Sequence, residues 1–461
     1  MDRRQFLFGI AASVGASLIG YMPKGMGAVA TTIQSKLRKS NGASDRGAVG
    51  DFVPATATGT DNKAALQYAL NSVMSTPGEL TIEPGDYYLG ASAVSNIAHL
   101  ELGNQNGSQI KNIVINAYGV TLYPGKPGKT FAVMNCDNIV IKGLRILGYH
   151  GGALGASRQF DHAMATMFSA WNVTFVDCYF AGAFGDQLFI GGQNTATAGH
   201  ESRNIRLVGT TLKSRYGNGV PSYSGGTASR NALSVIDCIG LEVDASNLLY
   251  GDADLEPDVN GQHIVDCHIS TRFSNGNVTA ESVIGPTNMW VDEPIVSTGG
   301  ASIETAISAG TAATSPISSG NTLDGNQFLI GHINLSEHPV RIKSISRNRF
   351  ESGLIRIVSA SQDNLLVEGN TTISHNSAAE TYYKIAAPTF ISIAVAVKNT
   401  KVDGNTCTIA SGYCVSTNGK GSDAGNNSFM NNRNLSASKL GSLSFLPVAN
   451  SRATTESGVQ K

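Results

Sequence analysis

Four stretches of this chain repeat one pattern of apolar and polar positions. Residues 136–148 read CDNIVIKGLRILG, 170–182 AWNVTFVDCYFAG, 202–214 SRNIRLVGTTLKS and 238–250 CIGLEVDASNLLY. In each, Asn or Gly precedes an alternating apolar run, a polar corner follows, and a second short strand closes the unit. Asn138, Asn172 and Asn204 recur at intervals of 34 and 32 residues. Alternation of period two puts successive side chains on opposite faces of a strand. A fixed period of such units marks a solenoid, because each unit buries its apolar face only on its neighbours. The pattern predicts an all-β chain folded as a parallel β-helix, whose flat polar strand faces suit extended polymers.

The ends of the pattern differ from its middle. Residues 31–44 read as a linker, 45–90 as an N-terminal cap, and 91–435 as coils. Within the cap, Asp61 is placed to begin a helix over about 62–74, with Ala65, Leu66, Ala69, Leu70 and Val73 on one face and Pro77-Gly78 as its stop. Asn321, Asn326, Asn348, Asn364, Asn370, Asn405 and Asn426-Asn427 mark further corners and read as structural ladders. Residues 297–320 are low in complexity and read as a surface excursion. Residues 436–461 are polar and read as a frayed tail.

Within the cap, Gly47-Ala48-Val49-Gly50-Asp51, Thr60-Asp61-Asn62, Ala64, Ala69, Gly78, Pro84-Gly85 and Tyr87 resemble the N-terminal cap of the pectate-lyase-like superfamily of right-handed parallel β-helices. The chain departs from that pattern at Phe52, where Gly is usual, and by the inserted PATATG. The resemblance implies a right-handed β-helix whose short helical cap plugs the open end of the solenoid. It implies little about chemistry.

Composition fits this picture. The 52 glycines and only 14 prolines suit a chain with a corner in every coil. A net charge of −1, with no basic stripe carrying interleaved aromatics, argues against nucleic acid as a partner. Cys136, Cys178, Cys238 and Cys267 fall at matching coil positions and read as a buried thiol ladder, while Cys407 and Cys414 are near enough to bridge. No Cys or His spacing suggests a metal site.

Residues 1–30 read as an address. Arg3-Arg4 precede Phe6-Leu7, an apolar run continues to Met22, and Ala28-Val29-Ala30 supplies a cleavage site. The pattern resembles a twin-arginine export signal. The expectation is a bacterial periplasmic or secreted protein, with no membrane association once the signal is cleaved.

Candidate chemistry clusters between Asp186 and His268. The segments GDQLFIG (185–191), RNALSVI (230–236) and GDADLEPD (251–258) read as one strand in three successive coils. Registering Leu188 with Leu233, and Ile190 with Val235 and Leu255, puts Phe189, Ser234 and Asp254 in one outward row. Alternation then predicts Asp252, Asp254 and Glu256 on one outward face, about 7 Å apart. Clustered carboxylates push one pKa up and leave another group ionised, as acid–base chemistry requires. They also match the carboxylate pair of glycoside hydrolysis, and calcium is the one cofactor they admit. Arg215 and Arg230 precede the cluster; His263 and His268 follow it. Tyr216, Tyr223 and Phe189 supply ring faces, and Asp186 opens the first segment. Asp-Leu-Glu-Pro is also similar to a segment common in bacterial members of that superfamily.

The leading expectation is an enzyme acting on an acidic polysaccharide by hydrolysis, β-elimination or epimerisation. Asp254 and Glu256 would be its acid/base pair, with Asp252 beside them and His263 as auxiliary base. Arg230, Arg215, Asp186, Phe189, Tyr216 and Tyr223 would hold substrate. The alternatives are a non-catalytic polysaccharide-binding scaffold for exopolysaccharide synthesis or export, and an adhesin-like interaction protein. Two weaker signals are Trp290, either a sugar-stacking ring or a buried junction residue, and Asp161-His162, read as a corner pair.

Overall fold

The computed structural model describes residues 40–90, 97–149, 160–191, 200–214, 231–274, 316–335 and 340–358 continuously, most of 362–436, and short strands elsewhere. The chain is a parallel β-helix with three faces. One row of paired positions shows the winding: Leu100, Phe131, Met164, Leu188, Leu233, Ala253, Ile307, Ile333, Ile355, Ile391, Val415 and Leu443 each lie beside the next in register. Neighbouring rungs in such a sheet are about 4.8 Å apart. Each inward side chain therefore packs on its counterpart above and below, and one apolar core runs the length of the molecule. Phe273, Phe328 and Phe350 form one such stack, with centroids 4.5 and 4.6 Å apart and nearly parallel rings.

The recurring asparagines have two separate jobs. Asn138, Asn172 and Asn204 adopt φ of 60°, 52° and 52°, the left-handed conformation that Asn tolerates better than other non-glycine residues. Gly240 takes the next position with φ of 77°. The later ladder is buried instead. Asn348 Nδ2 donates to Leu323 O at 2.9 Å and to Asn370 Oδ1 at 2.8 Å, while its own Oδ1 accepts from Asn326. The same scheme carries on through Asn370, Asn405 and Asn432, so each bend's backbone groups are satisfied away from water.

The cap helix spans Lys63–Ser75 and buries Leu66, Ala69, Leu70 and Val73 on the end of the solenoid. Asp61 Oδ1 accepts from Lys63 N–H at 3.0 Å, although Asn62 is the N-cap residue. All six cysteines are buried and free, Cys407 and Cys414 included. Burial pushes the Cys136 and Cys178 thiols up to about 12. No helix among the described residues is long and apolar enough to cross a membrane.

Two boundaries differ from the sequence reading. The stretch 297–320 is not one excursion: Thr305–Ala309 pairs with Ala253–Leu255 and Ile317–Ser319 pairs with His263–Val265, so both are coil strands. Small Ala, Ser and Thr side chains hid the alternation. The coils also extend past 435, since Leu443–Ser444 and Arg452–Thr454 continue two ladders. Trp290 is fully buried, donating its Nε1–H to Pro124 O at 3.0 Å and packing against Phe52, Tyr88 and Tyr123. It is a junction residue, not a sugar platform. Phe52, where the cap resemblance has Gly, supplies part of its seat. Residues 3–4, 215, 216, 223 and 230 lie outside the described residues, and so do the roles expected of Arg215, Tyr216, Tyr223 and Arg230.

Candidate functional site

The expected register of the acidic strand holds. Leu188, Leu233 and Ala253 align, as do Phe189, Ser234 and Asp254, and Ile190, Val235 and Leu255. The backbone N–H of Glu256 donates to Val235 O at 2.9 Å, so the ladder reaches Glu256. Asp254 and Glu256 are half-buried on the outward side.

Asp252 is a correction. It shares their side of the strand but is buried, with 4% of its surface exposed. A side chain at neighbouring Gly251 would collide with Ser214 and with the backbone nitrogen of Ala232, so the strand enters through a tightly packed corner. Alternation gives the side on which a residue lies, not what covers it. The exposed triad is therefore a pair, and among the described residues no group of three His, Cys, Asp or Glu side chains converges as metal ligands. Nothing in the geometry of Asp252, Asp254 and Glu256 favours calcium.

Asp186 and Phe189 are also corrected. Asp186 is fully buried: its Oδ1 accepts from Asn231 N–H at 3.0 Å, and its backbone N–H donates to His162 Nδ1 at 3.1 Å. Phe189 lies parallel to the His162 ring at 4.7 Å and is 8% exposed. Asp161 is buried as well, and burial pulls the nearby Lys129 ammonium down while Asp161 and Asp186 raise it. Asp161-His162 is thus part of a buried polar knot that seals a corner, not a simple corner pair, and neither Asp186 nor Phe189 offers an open surface to a ligand.

The sequence reading missed the densest chemistry. Asp237 follows Ile236 at the corner after the strand Leu233–Val235. Its Oδ1 accepts the backbone N–H of His263 at 2.8 Å and lies 3.1 Å from His263 Nδ1. With Nδ1–H donating to that carboxylate, Nε2 is left as the basic nitrogen, on a side chain one-fifth exposed. In the preceding coil stands Glu201, because Ser202 pairs with Cys238 and Cys238 with Ile264. Arg203 Nε donates to Glu201 Oε1 at 2.8 Å, and the Arg203 guanidinium lies over the Trp171 ring.

These two carboxyls are driven apart. Burial raises Asp237, and its bonds to His263 only partly offset this. Burial also pushes Glu201 up, but the Arg203 hydrogen bond, its own backbone and the charges of Arg203 and His263 outweigh it, so Glu201 sits below its usual value. Neighbouring acids with pKa values displaced in opposite directions are a mark of acid–base sites.

Chain length joins this ladder to the acidic strand. Ile236 and Asp237 are consecutive, whereas their counterparts one coil on, Glu256 and His263, are separated by the segment 257–262. That segment folds into a turn closed by Gln262, whose Oε1 accepts from Asp258 N–H at 2.7 Å and Val259 N–H at 3.0 Å. Glu256 and His263 thus flank one turn on the same edge of the face. His268 is on another face, 2.6 Å from Thr322 Oγ1, lining a shallow groove of about 520 Å³ with Thr174, Arg206 and Glu242. There Arg206 and Glu242 pair at 2.9 Å, both half-exposed, and so neutralise each other.

No protein-family model matches the chain, and no curated protein does. Among solved structures it is similar to the A-module of a mannuronan C-5 epimerase from Azotobacter vinelandii, at 12% identity over 90% of this chain and 100% of that one, with a TM-score of 0.46. It is similar to the tailspike of an E. coli bacteriophage, at 12% identity over 90% of this chain and 69% of that one, TM-score 0.44. A surface adhesin of Streptococcus pneumoniae matches at 10% identity over 92% and 96%, TM-score 0.33. The β-helix assignment rests on the parallel register itself.

The outward face around Asp254 changes character along the axis. Before it the same row runs Glu101, Ala132, Ala165, Phe189 and Ser234, of which Ala132, Ala165, Phe189 and Ser234 are buried. From it onward the same row reads Asp254, Ser308, Asn334, Arg356, Ser392 and Ser416 in register; Asp254 and Arg356 are partly exposed, whereas Asn334, Ser392 and Ser416 are buried. Asp254 follows Ser234 where this row turns from mostly apolar to a polar strip, which is partly exposed at Asp254 and Arg356.

Proposed function

We propose that this protein is an exported, periplasmic or secreted carbohydrate-active β-helix that acts on an extended acidic polysaccharide laid along the polar strip. The observation that carries this reading is the Glu201–Asp237–His263 ladder beside that strip. Its opposed carboxyl shifts and its oriented imidazole are what proton transfer needs. Asp237 fixes the tautomer of His263, and Nε2 is the base. The carbon next to a uronate carboxylate carries the proton such a base removes, and that removal begins both β-elimination and epimerisation. Asp254 and Glu256 serve as the acid partners on the face.

Hydrolysis is the second reading. Residues i and i+2 on one strand face lie about 7 Å apart, within the roughly 6.5–9.5 Å that an inverting carboxylate pair spans. The test is incubation of the mature protein with acidic and neutral polysaccharides, followed by mass and NMR analysis of products. An unsaturated terminus identifies elimination, changed stereochemistry at constant mass identifies epimerisation, and added water identifies hydrolysis. A protein that binds these polymers without changing them is a scaffold. One that neither binds nor changes any of them overturns the proposal.

A further inference from the structure

Three coils beyond Asp254, the same outward row carries Arg356. The carboxylate and the guanidinium therefore stand roughly 14 Å apart on one line along the strip, three rungs of about 4.8 Å each. Arg356 is half-buried and its plane is set from two sides. Nη1 donates to Asn334 Oδ1 at 3.0 Å, and the guanidinium lies over the Tyr383 ring at 4.2 Å from its centroid. Asn334 orients the fork.

Tyr383 is itself held. Its hydroxyl is 2.9 Å from His332 Nε2, and the two rings meet edge to face at 5.4 Å. It follows the short helix Ser377–Tyr382, which is anchored at both ends. At the start, Asn376 accepts from Ala379 N–H at 3.0 Å. Further on, Glu380 accepts Thr389 N–H at 2.6 Å with one oxygen and meets His375 Nδ1 at 2.7 Å with the other. A long cationic side chain normally loses rotamer entropy when it grips a ligand; here that ordering is already in place. A planar, pre-oriented guanidinium suits a carboxylate, which it can grip with two parallel hydrogen bonds.

We infer that Arg356, set by Asn334 and Tyr383, is a carboxylate-binding subsite that holds a uronate unit of the polymer about three rungs from Asp254. This rests on the polysaccharide reading above. It makes the acidity of the substrate, not merely its length, the feature recognised, and it places substrate recognition in a part of the chain far from the acidic strand.

The test is calorimetric titration with uronic-acid oligosaccharides and with neutral gluco-oligosaccharides of equal length. It is run in a His263→Ala background so that turnover does not consume the ligand. Arg356→Gln is expected to weaken uronate binding about tenfold to a hundredfold, the scale of a hydrogen bond to a charged group, and to leave neutral binding unchanged. Arg356→Lys keeps the charge but not the fork and should fall between. Tyr383→Phe tests whether the hydroxyl anchor matters apart from the ring. Unaltered uronate binding in Arg356→Gln, or equal losses for both oligomers with an unchanged melting temperature, overturns the subsite. His263→Ala protein with Arg356 intact that binds neutral but not acidic oligomers overturns the subsite and leaves a polysaccharide role standing. The same protein binding neither overturns both.

Discussion

Asp237 Oδ1 lies 2.8 Å from the backbone nitrogen of His263 and 3.1 Å from its Nδ1, so one buried carboxylate oxygen fixes both the chain and the ring of the next coil. Asp237→Asn keeps the shape but offers no such acceptor for Nδ1–H in one of its two amide orientations. We expect turnover to drop by about two orders of magnitude or more in Asp237→Asn and in His263→Ala, the scale of a lost general base. Glu256→Gln should cost a similar factor if it supplies the acid. Steady-state kinetics on the polymer identified by product analysis will check this, with circular dichroism to confirm folding.

The two carboxyls of the ladder should leave opposite marks on stability. Asp237 is raised in the folded state, so the stabilisation it gives is complete below its unfolded pKa and is lost as pH rises through the folded value. Glu201 is lowered, so its contribution is present above its unfolded pKa and is lost as pH falls through the folded value. Asp237→Asn should therefore gain on wild type as pH rises from about 4 toward neutrality. Glu201→Gln should be the less stable protein at neutral pH, with the gap closing below about pH 4. Chemical denaturation at several pH values measures both; parallel curves for either mutant and wild type contradict the assignment of that group.

Asn348 sits mid-ladder with every polar atom of its side chain used. Asn348→Ala leaves buried groups of Leu323 and Asn326 short of partners, and about 2–4 kcal/mol of stability should be lost in urea unfolding. Asn138→Ala, at an exposed left-handed corner, should cost less, and Asn138→Gly little.

Cys136 and Cys178, with thiols raised to about 12 by burial, should resist alkylation in the native protein and react only on unfolding. The unreduced mass should match six free thiols. A mass two hydrogens lighter per pair would show a disulfide instead.

Export should depend on the guanidinium pair near the N-terminus. Changing Arg3 and Arg4 together to Lys is expected to leave the precursor inside the cell, read by fractionation and immunoblot. Normal export of that variant would point to an ordinary secretory signal.

The fold was legible because its information is local. Ile190, Val235 and Leu255 announce their own register through alternation, and Asn138, Asn172 and Asn204 mark their own corners. The site was less legible because it is assembled across coils of unequal length. Asp237 looks like any acidic corner residue, and its partner is 26 residues away. The turn at 257–262 sets Glu256 apart from His263, and no periodicity reports that. Burial was the other blind spot: alternation put Asp252 on the right side of its strand and said nothing of the corner that encloses it.

The seat of Trp290 has a consequence for how the molecule is made. Pro124, which accepts its indole N–H, lies 166 residues earlier in the chain. At ordinary translation speeds the ribosome needs roughly ten to thirty seconds to cover that distance. During that interval Phe52, Tyr88 and Tyr123 are already synthesised but lack the ring that completes their cluster. A nascent chain halted before Trp290 would present these aromatic side chains to water, a sticky surface of the kind chaperones bind. Arrival of one tryptophan hides it.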